Sequence, residues 1–103
     1  MRYSLPNGFF SIDSMPNQPS VALCYDFTII PEYRGTKASH QLKAYQMKLL
    51  HELHYTVAIC TTQASNEAQN KVLQAAGWVI TSEFYDIRTG HKVYIWNWHV
   101  TKV

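Results

Sequence analysis

Phe27-Thr28-Ile29-Ile30-Pro31-Glu32-Tyr33-Arg34-Gly35-Thr36-Lys37-Ala38-Ser39-His40-Gln41-Leu42 is the stretch on which the fold turns. Its left end is β-branched and aromatic, and Pro31, which cannot donate to a ladder, stops the strand. Its right end changes period. Ala38, Leu42, Tyr45, Leu49 and Leu53, with Leu50 beside them, recur three or four residues apart. That spacing predicts an amphipathic helix of about 18 residues over 37–55, with Thr36 as its N-cap. A strand therefore passes through a short turn directly into a helix, whose first N–H groups lack intrahelical partners.

Upstream, residues 21–30 read as one strand. Leu23, Tyr25, Phe27 and Ile29 share one face, and Cys24, Asp26, Thr28 and Ile30 the other, so Asp26 faces either water or a site. Residues 1–20 are rich in turn formers, with a short strand expected near 8–13 and a loop after it. Downstream, residues 56–61 are short, apolar and β-branched, as a buried strand is. A second helix is expected from 65 or 66 to 76, closed by Gly77. Residues 79–87 and 92–101 then form a hairpin around Arg88-Thr89-Gly90-His91. In its last strand Tyr94, Trp96, Trp98 and Val100 line one face. The order strand, strand, helix, strand, helix, strand, strand is that of an α/β (α+β) domain with a central mixed sheet and two helices. The strands flanking the first helix should run parallel in a right-handed crossover.

A length of 103 residues allows one compact domain, 1–103. With 47% hydrophobic against 16% charged residues the chain has the material for a core. A net charge of +2 gives no field that argues for nucleic acid or an anionic membrane as partner. Cys24 and Cys60 each sit in an apolar run and read as buried thiols. No apolar stretch approaches the roughly 20 residues that span a bilayer, and no signal peptide is visible, so the expected compartment is cytoplasmic. His51-Glu52-Leu53-His54 is not a His-Glu-x-x-His zinc pattern, and no metal is expected.

The segment from Phe27 to Leu42 resembles the acyl-CoA-binding motif of the GNAT N-acetyltransferases, in which a strand ends in Val-x-Pro-x-Tyr-Arg-Gly-x-Gly-x-Gly/Ala and enters a helix. Further on, Asn66-Glu67-Ala68-Gln69-Asn70-Lys71-Val72-Leu73-Gln74-Ala75-Ala76-Gly77-Trp78 is similar to that family's second motif, Asn-x-x-Ala-x-x-x-Tyr-x-x-x-Gly-Phe. The resemblance covers residue 8 to the end. It implies a GNAT-like fold and acetyl-CoA as cosubstrate, with transfer to a small-molecule or protein amine by direct attack in a ternary complex. Arg34, Gly35, Thr36, Lys37, Ala38, Ser39 and His40 would hold the pyrophosphate at the helix N-terminus. Phe27 to Ile29 and Thr61 would align the pantetheine arm, with the Ile29 or Ile30 amide polarising the thioester carbonyl, and Asn66 belongs to the same site.

The chain departs from the family at three points. Lys37 and Ser39 stand at two glycine positions of the phosphate turn, and Leu73 stands where the family has a proton-donating tyrosine. The family's elements that form the acceptor wall have no room here, which implies a homo-oligomer or a partner protein. Asp26 as base and Tyr85 or Tyr25 as acid are the candidate catalytic residues, each open to a second reading: Asp26 as solvated surface, the tyrosines as packing. Asn66 is equally an N-cap, and Trp96 and Trp98 are core or interface. The alternative function is a non-catalytic GNAT-like assembly protein, of the kind found in tailed phages, which expects a closed strand gap and a Trp96 or Trp98 subunit contact.

Overall fold

The computed structural model describes residues 1–100. Six strands form one mixed sheet in the order β1-β2-β3-β4-β6-β5. They are β1 (Arg2–Leu5), β2 (Gly8–Met15), β3 (Gln18–Ile29), β4 (Val57–Gln63), β5 (Val79–Tyr85) and β6 (Lys92–His99). A 3-10 turn (Pro31–Tyr33) leads from β3 into α1 (Ala38–Glu52), and α2 (Glu67–Ala75) follows β4. The expected parallel pairing of the strands flanking α1 is present, as β3 with β4.

The N-terminal region holds more sheet than the sequence suggests. Residues 14–20, expected as a loop, are a tight hairpin in which Met15 pairs with Gln18. Pro16 and Asn17 alone make the turn, and Asn17 takes the positive φ of 65° that such short turns demand. A further strand, β1, pairs with β2 through another short turn at Pro6 and Asn7. The final strand closes at His99, so Thr101 of the expected 92–101 range lies outside the described residues.

Helix α1 is shorter than its periodicity predicts. It ends where His54, four residues after the last buried position, Leu50, turns left-handed at φ 65°. Its buried face is Ala38, Leu42, Lys43, Gln46 and Leu50, while Tyr45 and Leu53 of the expected stripe are about two-fifths exposed. Leu42 and Leu50 join Leu73 of α2 over Phe10, Ile12, Ala22, Cys24, Ala58 and Trp96 of the sheet. Phe10 is fully buried and stacks on Tyr3 and Phe27, and Trp78 stacks on Trp98. Of the two readings of Trp96 and Trp98, core or interface, the structure shows the first: Trp96 is buried in this core and Trp98 packs against it.

One irregularity rewrites a face assignment. On β2, Phe9 pairs with Thr28 and Ser11 with Tyr25, so the single residue Phe10 faces two, Asp26 and Phe27. This is a β-bulge, and Asp26 takes φ 57° in it. Strict alternation would put Phe27 and Ile29 opposite Cys24. The extra residue instead returns both to the helix-covered side, where they pack against the core.

Candidate functional site

The pairing of β3 with β4 lasts only from Val21↔Val57 to Leu23↔Ile59. Beyond Cys24 and Cys60 the two strands continue, to Ile29 and Gln63, without pairing, and a wedge opens between them. The ladders on their outer sides fix which backbone groups face that wedge. Ile30 N–H donates to Asn7 O (2.9 Å) across the Gly8↔Ile29 pair. In an antiparallel ladder that bond marks Gly8↔Ile29 as a non-hydrogen-bonded pair, so the N–H and C=O of Ile29, and by alternation those of Phe27, point away from β2. On the other side Val100 N–H donates to Thr56 O (2.9 Å) and Ala64 N–H to Lys92 O (2.8 Å). These bonds turn the polar groups of Thr61 away from β6. Phe27, Ile29 and Thr61 therefore offer backbone donors and acceptors to the wedge, and Ile30, whose amide is spent on Asn7, does not.

At the open end of the wedge lies a groove of about 450 Å³ lined by Phe27, Thr28, Ile29, Arg34, Gly35, Ser39, Asn66, Ala68 and Gln69. Gly35 turns the chain there at φ 81°. The first intrahelical bond of α1 runs from Gln41 N–H to Lys37 O, which leaves Ser39 and His40 N–H without helical partners. Arg34 stretches back along the groove to Ile29 O, with Nε at 3.4 Å. Asn66 is the N-cap of α2, its Oδ1 accepting from Gln69 N–H (3.2 Å), and it also lines the groove.

Four other residues assigned to the phosphate turn stand apart from the groove walls. Thr36 does not cap α1 as the Ncap residue. Its hydroxyl donates to Tyr33 O (2.6 Å) and accepts from Ala38 N–H (3.1 Å), which ties the turn together. Lys37 occupies the N-cap position without a side-chain cap bond and is exposed. Ala38 is core. His40 faces a different groove, between α1 and α2, with Lys43, Met47, Val72 and Ala76. Thr28, within the stretch assigned to the pantetheine arm, also lines the groove, as do Ala68 and Gln69, which the sequence does not single out. A further depression of about 460 Å³ lies over α2, β5 and β6, away from β3, with Trp78, Tyr94 and Trp96 in its wall.

Beneath the wedge the core carries polar groups that no motif announces. Lys43 is 2% exposed; its Nζ donates to Gln46 Oε1 (2.7 Å) and lies 4.4 Å and 4.7 Å from the ring centres of Phe27 and Trp78. Burial pulls its pKa below the ordinary lysine value. Burial likewise pushes the Cys24 thiol up to about 12 and the Cys60 thiol to about 11. On β4, Trp96 Nε1–H donates to Thr62 Oγ1 (2.9 Å), which donates to Asn70 Oδ1 (2.6 Å), fastening α2 to the sheet.

The candidate acids and base are scattered. Asp26 is exposed in the bulge beside the wedge. Tyr25 is committed elsewhere: its hydroxyl donates to Asp13 Oδ2. That bond, with burial second, raises the Tyr25 pKa, and Asp13 is held low by its bonds to the Met1 ammonium and to Tyr25. Tyr85 is 71% exposed on edge strand β5, with β6 and β4 between it and the wedge. His51 and His54 are exposed, and among the described residues no three metal-ligating side chains cluster. Among those residues, too, no helix is long and apolar enough to cross a membrane.

No protein-family model and no curated protein matches the sequence. Solved structures do match. A GNAT-family protein from Desulfovibrio desulfuricans superposes with a TM-score of 0.81 at 13% identity, over 92% of this chain and 62% of its own. The ribosomal-protein-S18-alanine N-acetyltransferase of Escherichia coli gives 0.77 at 12% identity, over 94% and 63%. The yncA protein of Salmonella typhimurium, solved with its cofactor acetyl-CoA, gives 0.80 at 10% identity, over 94% and 60%. The chain spans a little over three fifths of the length of these structures. Over that span the superpositions give this chain the fold of the GNAT acetyltransferases.

Proposed function

We propose that the chain binds acetyl-CoA in the wedge between β3 and β4 and transfers the acetyl group to an amine. The observation that carries this reading is the coincidence of three features at one place: backbone groups of Phe27, Ile29 and Thr61 that point into the wedge, the N–H groups of Ser39 and His40 that open α1 without helical partners, and the Arg34 side chain. An extended amide chain such as pantetheine takes up strand-like hydrogen bonds from the wedge, as an added strand would. Its pyrophosphate meets the helix N-terminus at Gly35 and Ser39, where anions are favoured, with Arg34 as a charged partner.

In this placement the thioester lies near the bulge. The Phe27 and Ile29 amides, aimed into the wedge, polarise its carbonyl, and a deprotonated amine attacks in a ternary complex. Asp26 is the carboxylate nearest that bulge in sequence, and we assign it the role of receiving the amine's proton. Acceptor binding is proposed to involve a second chain, either a copy of this one or a partner protein. The test is release of free coenzyme A thiol from acetyl-CoA in the presence of a panel of small amines and N-terminal peptides. Amine-dependent release supports transfer; a protein that binds acetyl-CoA yet releases nothing with any acceptor argues for a binding role alone.

A further inference from the structure

Lys43 is the one buried charged side chain among the described residues. No carboxylate of the described residues faces it. The titratable groups about it are the thiols of Cys24 on β3 and Cys60 on β4. From α1 it meets Gln46, and the groove it borders also holds the His40 imidazole of α1 and is completed on α2 by Val72, Ala75 and Ala76, none of which ionises. The Gln46 amide Nε2 and the Trp78 indole Nε1 are also buried donors without an acceptor. The pocket thus holds a surplus of donors and lacks one negative charge, an arrangement that burial makes costly unless a partner arrives.

Its position says which partner. Cys24 and Cys60 are the first residues past the last paired position, Leu23↔Ile59, so Lys43 underlies the closed end of the wedge. Resting on the reading of the wedge as the coenzyme channel, we propose that the Lys43 ammonium is the counter-charge for the coenzyme A thiolate leaving the thioester. The acceptor nitrogen forms the C–N bond and loses its proton. The C–S bond breaks with its electron pair on sulfur. Lys43 stabilises that charge, passes its proton to the sulfur, and recovers one from water through the groove between α1 and α2. On α2, Leu73 is fully buried and has no proton to give.

Free coenzyme A is the probe, because its thiol stands in for the leaving group without any acceptor. The thiolate absorbance of the bound coenzyme is followed against pH in the wild-type protein and in Lys43→Met, with calorimetry recording binding to each. The native thiols, raised to about 12 and 11, stay silent over the range used. The expected result is a bound-coenzyme thiol that ionises about one to three pH units lower than the free one. At neutral pH this raises its thiolate fraction at least about tenfold. Lys43→Met should still bind coenzyme A and lose the shift. Binding with an unshifted thiol in the wild type, or the same shift in Lys43→Met, overturns this proposal and leaves the channel standing. Absence of binding by calorimetry overturns the channel and this proposal with it.

Discussion

Gly8 in β2 lies so close to the carbonyl oxygen of Thr28 in β3 that a Cβ on it would overlap that oxygen, and it would also press Leu42 of α1 at 2.9 Å. Thr28 lines the groove, so the glycine sets how near β2 and α1 approach the strand on which the site is built. Backbone cannot yield as a flexible side chain does. Gly8→Ala should lower stability by about 1–3 kcal/mol, seen as a lower urea midpoint with an unchanged slope. A midpoint equal to the wild type would show that the strands are not held this tightly.

The chain Trp96–Thr62–Asn70 makes a second prediction. Thr62→Val keeps the shape of the side chain but strands a buried indole N–H and a partly buried amide oxygen. The cost should be about 1–3 kcal/mol. It should be read both in denaturant and as faster amide exchange in α2, whose attachment to β4 runs through Asn70.

Lys43 also predicts a pH dependence of stability. Its folded pKa lies below the unfolded value, near 10.5, so between the two the unfolded chain binds the extra proton. Stability contributed by this residue therefore rises with pH across that window, and the penalty is fully present below it. Lys43→Met should be more stable than wild type by about 1 kcal/mol or more at neutral pH. The difference should shrink as pH climbs. A constant difference would contradict the assignment.

Cys24 and Cys60, with thiols raised to about 12 and 11, should react sluggishly with a disulfide reagent at mildly alkaline pH in the native protein. Both should react quickly once the chain is unfolded. Rapid native labelling of either would show that the closed end of the wedge is open to solvent.

Much of this architecture is legible in the sequence, because β3, α1, β4 and α2 each carry the periodicity of their type and end in residues that stop them. Gly77, at φ 92° behind α2, is such a stop. The missing strand β1 and the hairpin at Pro16 and Asn17 were hidden by turn-forming residues that read as a loop, although the turn needs just two of them. The bulge at Asp26 was hidden for another reason. Alternation assumes one residue opposite one, and a single extra residue moves Phe27 and Ile29 to the other face. At the site, Arg34, Gly35, Ser39 and Asn66 are reached through the resemblance of their two segments to the GNAT motifs; a strand-turn-helix pattern alone does not single them out. Lys43 and Gln46 are reached by neither, since a stripe drawn through apolar residues passes over a buried lysine that solvates itself on two aromatic rings and an amide.

If the wedge and the turn at Arg34 form one coenzyme site, the protein binds acetyl-CoA through Arg34. Calorimetric titration with acetyl-CoA, using Arg34→Ala as the control, tests it most directly. Micromolar binding that weakens at least about tenfold in Arg34→Ala is the predicted result, in line with the loss of a charge-assisted contact to phosphate. No heat at millimolar acetyl-CoA, or equal affinity in the variant, would contradict it.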